Sequence, residues 1–254
     1  MNPNRQSASE DAPGAPEPPQ AGRPAMIERR RRILREARRM IGQGRFDELT
    51  IRELCRRAEV SSRTIYLAFG GKEAMVALAI RDYFEAFHRI MKFEAPEGSF
   101  EGAFERAIAA TLRNVQQPNY IQAVAAIYFS PTIDPQIRGA LLDIAQRPWI
   151  SWLGGLRQSR QLEIGVDPDT VAVSLSDIQY AKVHQWAVDA LDRSSFVKTT
   201  AQSMLLQLAG ATRGGSRTKV RKWLSSLASE DEDWRNFIDA INTRLQAQWP
   251  DYPK

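Results

Sequence analysis

Between Thr50 and Lys72 the chain sets a run of hydrogen-bonding side chains on a short, otherwise apolar frame. Ser61, Ser62, Arg63 and Thr64 stand consecutively, with Tyr66 and Leu67 one turn on. Arg63 carries a planar fork of donors that matches two neighbouring acceptors, the geometry of a guanine edge. Ser62 and Thr64 can donate or accept, and Leu67 could press on a thymine methyl. One good bidentate contact gives roughly 1–3 kcal/mol of discrimination between bases. Thr50 and Lys72 each open a helical pattern, where free backbone N–H groups and the helix dipole favour an anion such as phosphate. Tyr66 offers a hydroxyl to the same kind of partner. Base edges read by one group and phosphates held by another is the division of labour expected of a duplex-binding surface.

Such a surface needs a frame that turns it outward. Ile33, Ala37, Met40 and Ile41 fall at i, i+4, i+7 and i+8, one face of a helix that the pattern starts at Met26 and Gly42 and Gly44 end. Thr50 caps a second, short helix, and Glu53 three residues on makes a capping box. Ile51, Leu54, Cys55 and Ala58 form its inward stripe. Glu59-Val60-Ser61 is a break, and Ser61 caps a third helix over 62–69 with Ile65 and Phe69 facing in. Gly70-Gly71 stop it, and a fourth helix runs from Lys72 through Phe87. Two short helices joined by a tight turn make a helix-turn-helix, whose second helix lies in the major groove.

Charge agrees with this reading. From Arg23 to Lys72 there are 14 Lys+Arg against 6 Asp+Glu, a local net of +8, in a chain whose net charge is +5. The basic excess is therefore confined to the module, as in a nucleic-acid binder. With Cys55 as the single cysteine and only His88 and His184 as histidines, neither a disulfide nor a structural zinc site is implied. No phosphate loop or metal-ligand spacing is present, Cys55 reads as a small core residue, and an enzyme is not expected; no cofactor or metal is implied. No apolar run reaches the ~18 residues of a membrane span and no signal peptide is evident, so the expected location is cytoplasmic, with no membrane partner.

The stretch from Arg29 to Ile80 resembles the N-terminal domain of the TetR family of transcriptional regulators. The matching features are the first-helix stripe, Gly44-Arg45-Phe46, Thr50-Ile51-Arg52-Glu53-Leu54, Ala58, Val60-Ser61, Thr64-Ile65-Tyr66, Phe69 and Lys72-Glu73-Ala74. The resemblance implies phosphate contacts from Thr50, Tyr66 and Lys72, and base reading by the opening of the third helix. It also implies a homodimer on a palindromic operator and a small-molecule effector held in a variable second domain. Glu59 stands where the family usually has a turn glycine, and a left-handed backbone there would cost a non-glycine residue about 1–2 kcal/mol. Arg63 replaces a commonly small residue, Leu67-Ala68 a more polar pair, and Gly70-Gly71 a Pro-Ser type of turn.

The expected class is all-α: a disordered arm over 1–25, a helix-turn-helix DNA-binding domain over 26–87 with its motif at 50–69, a helical ligand-binding and dimerisation domain over 88–212, and a linker with a C-terminal helical extension over 213–254. Helices are expected over 100–117, 120–129, 135–162, 168–191 and 195–211, the third of them kinked or broken by Pro148 and Gly154-Gly155. Arg213–Lys219 reads as a Gly/Arg/Ser linker, and the apolar residues after it, Trp223 to Leu245, should dock on the body. Ala190, Leu191, Met204, Leu205 and Leu208 are the expected dimer wall. Among the interior aromatics, Tyr128, Trp152, Tyr180 and His184 are the candidate effector contacts. The function implied is a DNA-binding transcriptional regulator, a repressor released by its ligand; the alternative is an activator or ligand-independent regulator of the same fold.

Overall fold

The computed structural model describes residues 22–43, 46 and 48–249. The expected arm over 1–25 lies mostly outside them. Its last residues are helical: α1 runs over Gly22–Gly42, so the helix begins before Met26. Ten more helices follow among the described residues: α2 (Ile51–Ala58), α3 (Ser62–Phe69), α4 (Lys72–Ile90), α5 (Phe100–Gln116), α6 (Pro118–Tyr128), α7 (Pro135–Gln158), α8 (Pro168–Ala187), α9 (Arg193–Ala211), α10 (Gly214–Ser229) and α11 (Glu232–Gln248). The fold is all-α, as expected. None of these helices is long and apolar enough to cross a membrane.

Local chemistry explains most boundaries. Asp134, Asp167, Asp192 and Asp231 each accept a first-turn backbone N–H, and Pro135 and Pro168 stand just inside α7 and α8, where a missing N–H costs nothing. Helix α8 stops at Ala187 rather than Leu191, because Asp189 turns left-handed (φ 55°) before Asp192 caps α9. The expected break in α7 does not occur. Pro148 is buried inside one continuous helix, which packs on α4, α5 and α8. That packing outweighs one lost backbone hydrogen bond.

The second correction concerns residues 213–219. They are not a linker between helices, because α10 starts at Gly214. The side-chain oxygen Oε1 of Gln161 accepts from the Ser216 amide and hydroxyl, and Arg217 pairs with Glu163. Helix α10 then lies along α9, and α11 lies along α5. Phe104 of α5 is sandwiched between Phe237 (centroids 5.5 Å, parallel) and Phe100 (5.7 Å). Leu227, Trp234, Ile241 and Leu245 are buried, so the extension is part of the core.

A buried ion pair pins this extension. Glu105 is 3% exposed; its carboxylate accepts the Glu94 and Ala95 amides at 3.1 and 3.0 Å and meets Arg244 of α11 at 2.6 Å. Removing one partner of a buried pair strands the other. Arg244→Met should therefore lower the unfolding free energy by about 3 kcal/mol in urea titration. A loss below about 1 kcal/mol would mean the pair behaves as an exposed one.

Candidate nucleic-acid interface

Helices α2 and α3 are eight residues each, too short to persist alone. They are held by caps and by burial. Thr50 Oγ1 accepts the Glu53 amide (3.2 Å), and Ser61 Oγ accepts the Thr64 amide (3.2 Å). Leu54, Ala58 and Ile65 are fully buried, in the same core as Ile33, Ala37, Met40 and Ile41 of α1 and Met75, Val76 and Ala79 of α4. Cys55 is half-buried rather than enclosed. The Glu53 carboxylate, expected to complete a capping box, is gripped by Arg56 (2.7 Å) and Arg57 (2.8 Å). Those hydrogen bonds hold its pKa down at about 2.

The turn between the two helices is left-handed at Glu59 (φ 52°), and the Val60 amide closes it on the Cys55 carbonyl at 3.0 Å. A tight reversal here needs that backbone, and glycine would adopt it without strain. Gly70 (φ 84°) ends α3 the same way. Gly71 leaves the first amides of α4 without a side-chain cap.

Burial of Ile65 turns the opposite face of α3 to solvent. Ser62 and Arg63 are exposed, Tyr66 is 55% and Leu67 78% exposed. Thr64 is half-buried, and its hydroxyl lies 2.9 Å from that of Ser61. The fold therefore already uses Ser61 and Thr64 to start the helix. Thr50 is exposed at the head of α2, and the Lys72 ammonium sits 5.6 Å over the Phe46 ring at the head of α4. Arg30 of α1 stacks on Phe69 (4.6 Å) and donates to the Ala68 carbonyl, which fixes the far end of α3. Arg38 of α1 meets Asp82 of α4 at 2.8 Å. Arg52 was not among the site residues read from the sequence. It is exposed on the first turn of α2, beside Thr50; its signal was folded into the charge count.

The candidate effector contacts do not form one group. Tyr128 and Tyr180 stack at 4.2 Å, and the Tyr180 hydroxyl donates to the Leu141 carbonyl at 2.9 Å. His184 is exposed one turn after Tyr180 on α8, and its ring lies 5.5 Å from that of Phe129, which in turn meets Tyr128. Trp152 packs elsewhere, against Phe100 (5.2 Å) and Trp149 (6.4 Å). None of the four lines a cleft of about 850 Å³ that opens between Gly42, Phe46 and Lys72 on one side and Gln122, Ser130 and Asp134 on the other. Three residues of the expected dimer wall are corrected too, while Ala190 is exposed and Leu191 half-buried. Met204, Leu205 and Leu208 are fully buried within the chain, in the same core as Val220 and Leu227 of α10. The exposed apolar residues of this pair of helices are Val173 and Val188 of α8 and its C-cap, and Leu206 of α9.

Residues 33–79 match the family model described as bacterial regulatory proteins, tetR family. Among solved structures the chain is similar to a protein described as a TetR-family transcriptional regulator from Rhodococcus sp., with a TM-score of 0.52 and 14% identity, covering 70% of this chain and 98% of that one. It is also similar to the TetR-family repressor FadR of Thermus thermophilus, solved in complex with lauroyl-CoA, with a TM-score of 0.49 and 19% identity over 73% of this chain and 97% of that one. At these identities the likeness concerns the fold. The sequence matched no curated protein.

The strained turn gives a direct test. Glu59→Gly should stabilise the protein by about 1 kcal/mol in thermal or urea unfolding, because a left-handed non-glycine residue costs about 1–2 kcal/mol and glycine returns part of that as chain entropy. The Arg32–Glu59 contact it removes is 3.9 Å long and exposed, and contributes little. Destabilisation would show that the turn is not strained at Glu59.

Proposed function

Residues 33–79 form a helix-turn-helix domain of the TetR family, and from that premise we propose that the chain is a dimeric DNA-binding transcriptional regulator, a repressor released from a palindromic operator by a small-molecule effector. The observation that carries this reading is the outward polar face of α3, whose fully buried Ile65 leaves Ser62, Arg63, Tyr66 and Leu67 free to meet a groove. Arg63 is assigned to a guanine edge, Ser62 to a neighbouring base and Leu67 to a thymine methyl. Ser61 and Thr64 shape the helix start that approaches the groove. Thr50, Tyr66 and Lys72 hold phosphates, joined by Arg52, with the uncapped amides of α4 adding donors.

One such helix makes few base contacts. A two-fold dimer places two of them ~34–36 Å apart, or a multiple of that, on successive major grooves. The exposed Val173, Val188 and Leu206 are the apolar residues that α8 and α9 offer to a second copy. An effector weakens DNA binding only as far as it prefers the non-binding arrangement of the two heads.

Selecting bound duplexes from a random pool tests the reading directly. Against the selected duplex, Arg63→Ala should cost about 1–3 kcal/mol, roughly 5- to 150-fold, and leave non-specific binding nearly unchanged. Lys72→Ala should weaken both kinds of binding alike and lower the salt slope by about 1. An Arg63→Ala loss equal on both kinds of DNA would remove its base-reading role. Leu206→Glu should yield a monomer by light scattering and a large loss of operator affinity; an unchanged dimer would place the interface elsewhere.

A further inference from the structure

The middle of the helical body holds a cation with no counter-ion. Arg113 of α5 is 1% exposed, and no carboxylate among the described residues pairs with it. Its Nη2 donates to Asn114 Oδ1 at 3.0 Å, while Nη1 has no hydrogen-bond partner. Its guanidinium lies over three rings of α4: Phe84 at 4.4 Å, Phe87 at 4.6 Å and Tyr83 at 5.1 Å. These rings offset some of the charge but accept none of its N–H groups in the plane. Asn114 Nδ2 and the Tyr120 hydroxyl are buried without partners as well. Tyr120 adjoins the same cage, its ring 4.5 Å from that of Tyr83. The two orphaned nitrogens are donors only, and the Tyr120 hydroxyl can donate as well. A buried polar group normally finds a partner, and a fork of donors beside a fixed positive charge in an aromatic wall fits one acceptor-rich, negatively charged group best.

We propose that Arg113, with Asn114 and Tyr120, is the receptor for the carboxylate of an apolar organic acid, whose body packs among Tyr83, Phe84 and Phe87 of α4. This names the chemical class of the proposed effector and rests on that reading. Two further observations agree with it. His88 lies on the same helix; burial first, and then the charges of Arg113, Arg147 and Arg106, hold its pKa down at about 4. A carboxylate at Arg113 would offset part of that positive field. Helix α4 carries the aromatic wall at one end and Lys72 beside α3 at the other, so an acid seated there presses on the helix that opens next to the recognition face.

The probes are octanoate, benzoate and phenylacetate, each beside its neutral amide, added to the full-length protein without DNA. At least one acid should raise Tm by roughly 5 °C at about 100 times its Kd, with no rise from the amide. Arg113→Met should abolish that response. An orphaned buried charge replaced by an apolar chain of similar length is expected to be tolerated. If Arg113→Met fails to fold, the wild-type His88 titration decides: it should move upward on adding the same acid. No Tm response to any of the acids, a response equal for the amides, a response that survives Arg113→Met, or a His88 titration that stays still would each overturn the proposal. Duplex affinity measured on the same samples keeps the two readings apart. A chain that binds duplex and ignores every acid loses this site alone; one that binds an acid through Arg113 but no duplex keeps the site and loses the regulatory role.

Discussion

Burial of Ile65 is the contact on which the proposed DNA-facing surface depends. Helix α3 has eight residues and little helical stability of its own. It persists because Ile65 is sealed in the core with residues of α1 and α4, and because Ser61 and Gly70 close its ends. An eight-residue helix pinned along one line has no freedom to roll. The side chains opposite that line, Arg63 and Leu67 among them, therefore stand out without any packing of their own. An exposed leucine and an exposed arginine side by side gain nothing for the isolated protein. Their exposure is what the proposed contacts to a methyl and a pair of acceptors would use.

The same helices connect this surface to the body. Helix α4 begins at the head group of Lys72, passes under α3, and ends among the aromatic residues around Arg113. Helix α1 touches both α4 and α6. Close-packed helices shift as units rather than bending smoothly. A change in the packing around Arg113 or beside α6 therefore has a short mechanical route to the module. The C-terminal helices α10 and α11 brace the other side of the body through Phe104, Glu105 and Arg244. With α10 along α9, much of α9 is covered within the chain, and Leu206 is a large apolar residue of it left exposed.

What was legible in the chain was what local chemistry dictates. The helix-turn-helix could be placed to the residue because caps, turn and stripe lie within a few residues of one another: Thr50, Glu59-Val60-Ser61, Leu54 and Ile65. Misreadings arose where the deciding partner was far away in sequence. Pro148 reads as a break until α4, α5 and α8 are packed around it. Arg213–Lys219 reads as a linker until Gln161 and Glu163, some fifty residues earlier, take hold of Ser216 and Arg217. Met204, Leu205 and Leu208 look like a wall for another subunit until α10 shares their core.

The sequence alone determined that the chain is helical, where its basic charge concentrates, and which residues cap the short module, because helix periodicity and capping act over three or four positions. Only the tertiary structure decided which apolar faces are already covered and that Arg113 is buried among rings with no opposing charge paired to it among the described residues. Those outcomes depend on which helices meet, and no local pattern records who the neighbour will be.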